Sequence, residues 1–126
     1  MDGTFSAQGI SLSNNDLGTS NTIFGKSAGD AIASGGNYNV AIGEDAGGAL
    51  TTGDTSVAVG FEALLTEDTN SENTAIGYQA LKTQNGADGN TAVGMRAGLD
   101  LTTGGANTFV GAETAANVTT GADNVM

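Results

Sequence analysis

The words "NTIFG", "NVAIG", "SVAVG", "NTAIG", "NTAVG" and "NTFVG" follow one another along this chain, their glycines falling at Gly25, Gly43, Gly60, Gly77, Gly94 and Gly111. The steps between those glycines are 18 residues once and 17 residues four times. A repeat held to one period constrains the fold more than any local propensity, because each unit must present matching surfaces to the units before and after it. The unit is too short for a tetratricopeptide, ankyrin or propeller repeat and lacks leucine-rich spacing. It fits an all-β chain, a parallel β-solenoid or β-roll of about six 17-residue coils. At the inter-strand distance of about 4.8 Å, six coils make a rod of roughly 29 Å. Reading "GYQAL" and "GFEALL" as short helical turns between strands gives the same rod.

Coils start at Asn21, Asn39, Ser56, Asn73, Asn90 and Asn107, with a truncated seventh at Asn124. Residues 21–126 therefore read as the repeat solenoid and 1–20 as an N-terminal cap, tip or linker, within which Gly18 falls where a "TTG" glycine would. The array is expected to continue beyond the last residue. Before each glycine stand Phe24, Ile42, Val59, Ile76, Val93 and Val110, large and apolar, and this ladder is expected to form the core. One step earlier stand Ile23, Ala41, Ala58, Ala75, Ala92 and Phe109, which alternation places on the opposite face. That mostly small row suggests a second layer approaching closely from outside. The glycine suits a corner, and "TTG" at 51–53, 102–104 and 119–121 suggests a second strand ending in a second corner. The Asn or Ser opening every coil suits a side-chain ladder running along the stack.

Gly25-Lys26-Ser27 resembles the end of a phosphate-binding loop, but the glycine that loop requires five positions earlier is Ser20. Gly25 is the corner of the first coil, so nucleotide binding is not indicated. The chain has 14 acidic residues against 3 basic ones, for a formal charge of −11. That field repels phosphate backbones and anionic membranes, which argues against nucleic acid as a partner. With no run of about 18 apolar residues, membrane insertion is not expected either. The N-terminus carries no secretory pattern, so an exported protein would need its signal outside this sequence or release by lysis.

With no His and no Cys, the usual general base, metal ligand and activated nucleophile are missing, and no catalytic residue is assigned. The adjacent acids Glu44 with Asp45, and Glu67 with Asp68, read as solvated surface rather than a glycosidase pair. Calcium is the one cofactor the composition could accommodate, and Glu67, Asp68 and Glu72 in "LLTEDTNSE" are its candidate ligands. Candidate ligand-binding aromatics are Tyr38, Phe61 and Tyr78. Tyr38 reads as the extra residue of the longer first repeat and should bulge from the rod. Phe61 and Tyr78 follow corner glycines, where the alternative is packing between coils or subunits.

The words "NTAIGYQAL" and "NTAVG", separated by "TTG", resemble repeats of bacteriophage tail fibres and related surface adhesins. The "VAIG" and "VAVG" cores are similar to head domains of trimeric autotransporter adhesins, whose repeat is shorter. Over residues 21–126 the resemblance implies a parallel homotrimer in an extracellular fibre on a cell surface or virion, with no catalytic residues. Short coils bury little apolar surface alone, which independently favours oligomerisation, expected here through the Ala face. The function expected is attachment, with loops binding host or prey surface glycans multivalently. Two alternatives are a passive spacer and an ice-binding solenoid, the latter weakened if Thr22, Thr74, Thr91 and Thr108 face inward.

Overall fold

The computed structural model describes residues 18–126, so the cap, tip or linker expected for 1–20 lies almost wholly outside them. Six strands, β1 (Thr22–Phe24), β2 (Val40–Ile42), β3 (Val57–Val59), β4 (Thr74–Ile76), β5 (Thr91–Val93) and β6 (Thr108–Val110), form one parallel sheet in sequence order. Each strand pairs with its equivalent in the next coil, Ala58 with Ala75 and Ala75 with Ala92, so the chain is a parallel β-solenoid. The stack continues into the seventh repeat through a bridge between Thr108 and Val125. At its other end Thr19 accepts the Tyr38 N–H, making residues 18–20 continuous with the first coil. No helix is present among the described residues. "GYQAL" and its equivalents form successive tight turns, as where the Ala80 N–H donates to Gly77 O at 3.3 Å.

β-Branched Thr, Val and Ile favour the extended backbone of each strand, and the corner glycine ends it. Gly60 has φ +131°, and a Cβ there would lie 2.5 Å from Gly77 O. The coil therefore turns only where the next coil's backbone can come closer than a methyl group permits. The "TTG" segments are not second strands. They are bends tied to the next coil by local bonds without a ladder, such as the Thr102 N–H and hydroxyl to Thr119 O, both at 2.8 Å. Tyr38 is not the extra residue: it shares a left-handed position with Ser20, Thr55, Glu72, Ala106 and Asp123. Ala33 N–H still donates to Thr51 O, 18 residues on, whereas Asn37 N–H donates to Asp54 Oδ1, 17 residues on. The insertion therefore lies between Ala33 and Gly36, where a loop of small residues absorbs it.

The inside and outside of the strands are the reverse of the sequence expectation. Ala41, Ala58, Ala75 and Ala92 are fully buried, while Phe24, Ile42, Ile76 and Val110 are 37–60% exposed. In coils 2 to 5 the enclosed space takes large side chains from one wall only, while Ile23 and Phe109 stand at the strand position of the end coils. In those middle coils the far wall supplies the large side chains in Leu50, Leu64, Leu81 and Leu101, and Ala on the strand leaves them room. The Ala face is thus the interior of one stack and is not available for packing between subunits. The Thr row points outward with the aliphatic ladder, since both alternate with Ala.

The Asn ladder runs through the interior as expected. Asn73 Oδ1 accepts the Asn90 N–H at 2.9 Å, Asn90 Oδ1 accepts the Asn107 N–H at 3.0 Å, and Asn107 Oδ1 accepts the Asn124 N–H at 3.0 Å. The amides of Asn21, Asn39, Asn73 and Asn107 also tie their coils across the bend, Asn39 Nδ2 donating to Gly53 O and Asn107 Nδ2 to Gly121 O, each at 2.7 Å. Ser56 keeps the first link, accepting the Asn73 N–H at 3.3 Å, but has no amide for the second. Replacing it with Asn should supply a donor to Asn70 O. We expect Ser56→Asn to stabilise the chain by about 0.5–1.5 kcal/mol, measured as a shift in the denaturant midpoint.

Candidate functional site

The outward residues of the six strands form two parallel columns. Thr22, Val40, Val57, Thr74, Thr91 and Thr108 make one, and Phe24, Ile42, Val59, Ile76, Val93 and Val110 the other. None of these twelve residues is charged, on a chain of formal charge −11. The alternation that places Ala inside forces this row of β-branched side chains into solvent, and the parallel register aligns them along the rod.

Beside this face runs the column that follows the corner glycines, which includes Phe61, Tyr78 and Met95, all partly exposed. The Phe61 and Tyr78 rings stack with centroids 5.5 Å apart and planes 14° from parallel. The Arg96 guanidinium lies 5.9 Å from the Tyr78 centroid. Because Phe61 belongs to the coil before Tyr78 and Arg96 to the coil after, both faces of the Tyr78 ring are occupied. Its edge is what solvent meets, which suits contact with another apolar side chain better than stacking on a sugar. Tyr38, 61% exposed in the turn just before β2, is the candidate aromatic that stands apart from this stack.

The few cations are spent on pairs between neighbouring coils. Lys26 Nζ lies 2.7 Å from Glu44 Oε1, Lys82 Nζ 2.6 Å from Glu62 Oε2, and Arg96 Nη1 3.8 Å from Glu113 Oε1. Glu62 also accepts Gln79 Nε2 at 2.7 Å. The bonds from Lys82 and then Gln79 hold its carboxyl below the ordinary carboxylate value. These three pairs use all the Lys and Arg of the sequence, leaving no basic surface for a phosphate backbone.

The acidic candidates do not converge. Glu67 is fully buried inside the rod, where the sequence reading had placed it on a solvated loop. Asp68 Oδ1 accepts the Thr51 hydroxyl of the preceding coil. Glu72 occupies the left-handed position before Asn73, with its N–H donating to Asp54 O at 3.0 Å. Among the described residues no group of three or more acidic side chains is arranged to hold a metal ion.

Two features escaped the sequence reading. One is an outer ladder beside the Asn ladder: the Asn37 N–H donates to Asp54 Oδ1 at 2.6 Å, Asp54 N–H to Ser71 Oγ at 3.0 Å, and Ser71 N–H to Asp88 Oδ1 at 2.7 Å. Its signal was the polar residue two places before the coil-opening Asn or Ser. The other is the leucine half of an exchange in coils 3 and 4, whose polar half, Glu67 and Gln84, is visible when the repeats are aligned. There Leu64 and Leu81 stand where coils 1, 2 and 5 have Gly29, Gly47 and Gly98, and Glu67 and Gln84 stand where those coils have Ile32, Leu50 and Leu101. All four exchanged side chains are buried. "FEALLTE" against "EDAGGAL" carries that signal in the sequence.

The fold and this surface together define a parallel β-solenoid with one uncharged outer sheet. Comparison with protein-family models, with curated proteins and with solved structures gives no match.

Proposed function

We propose that this chain is a segment of an extracellular attachment fibre, on a cell surface or virion, in which three parallel copies pack their outer sheet faces together. The observation that carries this reading is the uncharged column pair on an otherwise acidic rod. Copies of formal charge −11 repel one another over most of their surface, and close approach costs least where no charge is buried. Parallel copies in register meet the same aliphatic column at every coil, with the stacked edges of Phe61 and Tyr78 beside it. The exposed turns outside the sheet face, with Tyr38 in the turn before β2, are left for weak, multivalent contact with surface glycans.

Light scattering at neutral pH tests the assembly. The wild type is expected at three chains. Ile76→Glu, whose side chain points outward, should give a single chain with unchanged far-ultraviolet dichroism. A single-chain wild type would overturn the reading.

One finding favours a second reading. Thr22, Thr74, Thr91 and Thr108 face outward in a flat, regularly spaced column, as an ice-ordering surface would require, although Val40 and Val57 interrupt it. Thermal hysteresis in a single-chain wild type would put ice binding in place of the fibre.

A further inference from the structure

We propose that Glu67 makes the middle of the rod a proton-gated weak point, closed when its buried carboxyl is neutral and loosened when it ionises. In coils 1, 2, 4 and 6 the amide of the opening Asn donates to the carbonyl of its own bend, as Asn39 does to Gly53 O and Asn73 to Ala87 O. Coil 3 opens with Ser56, which cannot reach in this way, so the equivalent carbonyl, Asn70 O, lacks that donor. Glu67 is fully buried beside it, and its Oε1 accepts the Asn70 N–H at 2.8 Å. One coil on, Gln84 takes the matching position and its Nε2 donates to Ala87 O, the counterpart of Asn70 O. A protonated Glu67 has the same shape as Gln84 and one O–H to give, so it can make the bond to Asn70 O that Ser56 cannot. An ionised Glu67 has no donor and sets its charge against that carbonyl.

No positive charge compensates the ionised form. The preceding coil offers Leu50 at the equivalent position, and the following coil offers Gln84 and the Asn73 amide, whose Nδ2 is 3.4 Å from Glu67 Oε2. The charged groups that bear on it, Asp88 in the next coil and Asp68 in its own, are both acidic. Lys26, Lys82 and Arg96 are held in the outer pairs already described. Burial, helped by those two acids and opposed by the Asn70 N–H, pushes the Glu67 carboxyl from 4.5 up to about 7.

A carboxyl whose value is raised on folding binds more protons in the folded chain than in the unfolded one. The contribution of Glu67 to stability is therefore greatest below pH 4.5, falls as the pH rises towards about 7, and is not regained above it. Loosening should begin at coil 3 and spread into coils 4 and 5, where Gln84 Oε1 and Asn90 Nδ2 are already buried without partners.

The test is the unfolding equilibrium of the wild type and Glu67→Gln, measured from pH 4 to 8.5. Contributions of the other carboxylates are common to both proteins and cancel in the difference. The wild type should weaken relative to the variant by on the order of 100-fold across the window, and parallel profiles would overturn the proposal. Should Glu67→Gln not fold, a carbon-13 titration of the wild-type Glu67 carboxyl decides. A midpoint near 7 supports the gate, and one near 4.5 refutes it.

Discussion

Gly60→Ala should abolish folding, or nearly so, at ordinary temperature. The backbone there has φ +131°, a region that side chains rarely enter, and such strain costs about 1–3 kcal/mol. The added methyl would also lie 2.5 Å from Gly77 O and 2.7 Å from Gly77 C, atoms of the next coil that cannot rotate away. Relief requires separating two coils, with loss of the Gly77 N–H to Val59 O bond at 2.8 Å and its neighbours. The combined loss should exceed about 4 kcal/mol, a large share of the stability of a small domain. Gly89→Ala is the internal control. A Cβ at Gly89 meets nothing within 4 Å, and six other coil-opening turns hold non-glycine residues at the same left-handed position. That variant should stay within about 0.5 kcal/mol of the wild type. Thermal melts followed by circular dichroism compare the two, and equal effects would show that the inter-coil contact at the corner is not what requires glycine.

Ala75→Leu is expected to cost about 1–3 kcal/mol by overpacking, whereas Ile76→Ala, one residue away, should cost the single chain much less. Ala75 is fully buried, stacked between Ala58 and Ala92, and its column opposes the interior leucines. Ile76 is 39% exposed, so trimming it opens no cavity within the coil. Chemical denaturation of the two variants, in a background kept single-chain, gives both numbers. A larger loss for Ile76→Ala would mean that the aliphatic ladder lies inside the rod after all. In an assembled fibre the order should change, because the Ile76 column then becomes buried between copies.

The architecture was written in the period. Equal spacing of Gly43, Gly60, Gly77, Gly94 and Gly111 imposes stacked coils, the β-branched residues before each glycine impose a strand, and the repeated Asn imposes a ladder, since each feature recurs once per unit. The tight turns after each corner were less legible. Their left-handed residues include Glu62, Gln79, Arg96, Leu64 and Leu81, which carry no local signal for that conformation and adopt it because the stack holds them there. The candidate site was legible in its residues but not in its orientation. Alternation in Thr74-Ala75-Ile76 separates two faces without saying which one turns inward.

Size alone favoured Ile76 as core, and the structure chose Ala75, because the coil's far wall already supplies the leucines and the remaining space admits only a methyl group. The place of Glu67 was decided in the same way. A reading of "TEDTN" sees an acidic loop, but Leu64, one turn earlier, has moved the apolar volume of that coil and left an interior position for the carboxyl to occupy. The sequence by itself thus determined the repeat, the strand and the stacking, which depend on spacing along the chain. Only the tertiary structure decided what faces inward, because that depends on the volume left between two walls that lie apart in sequence and meet only when the coil closes.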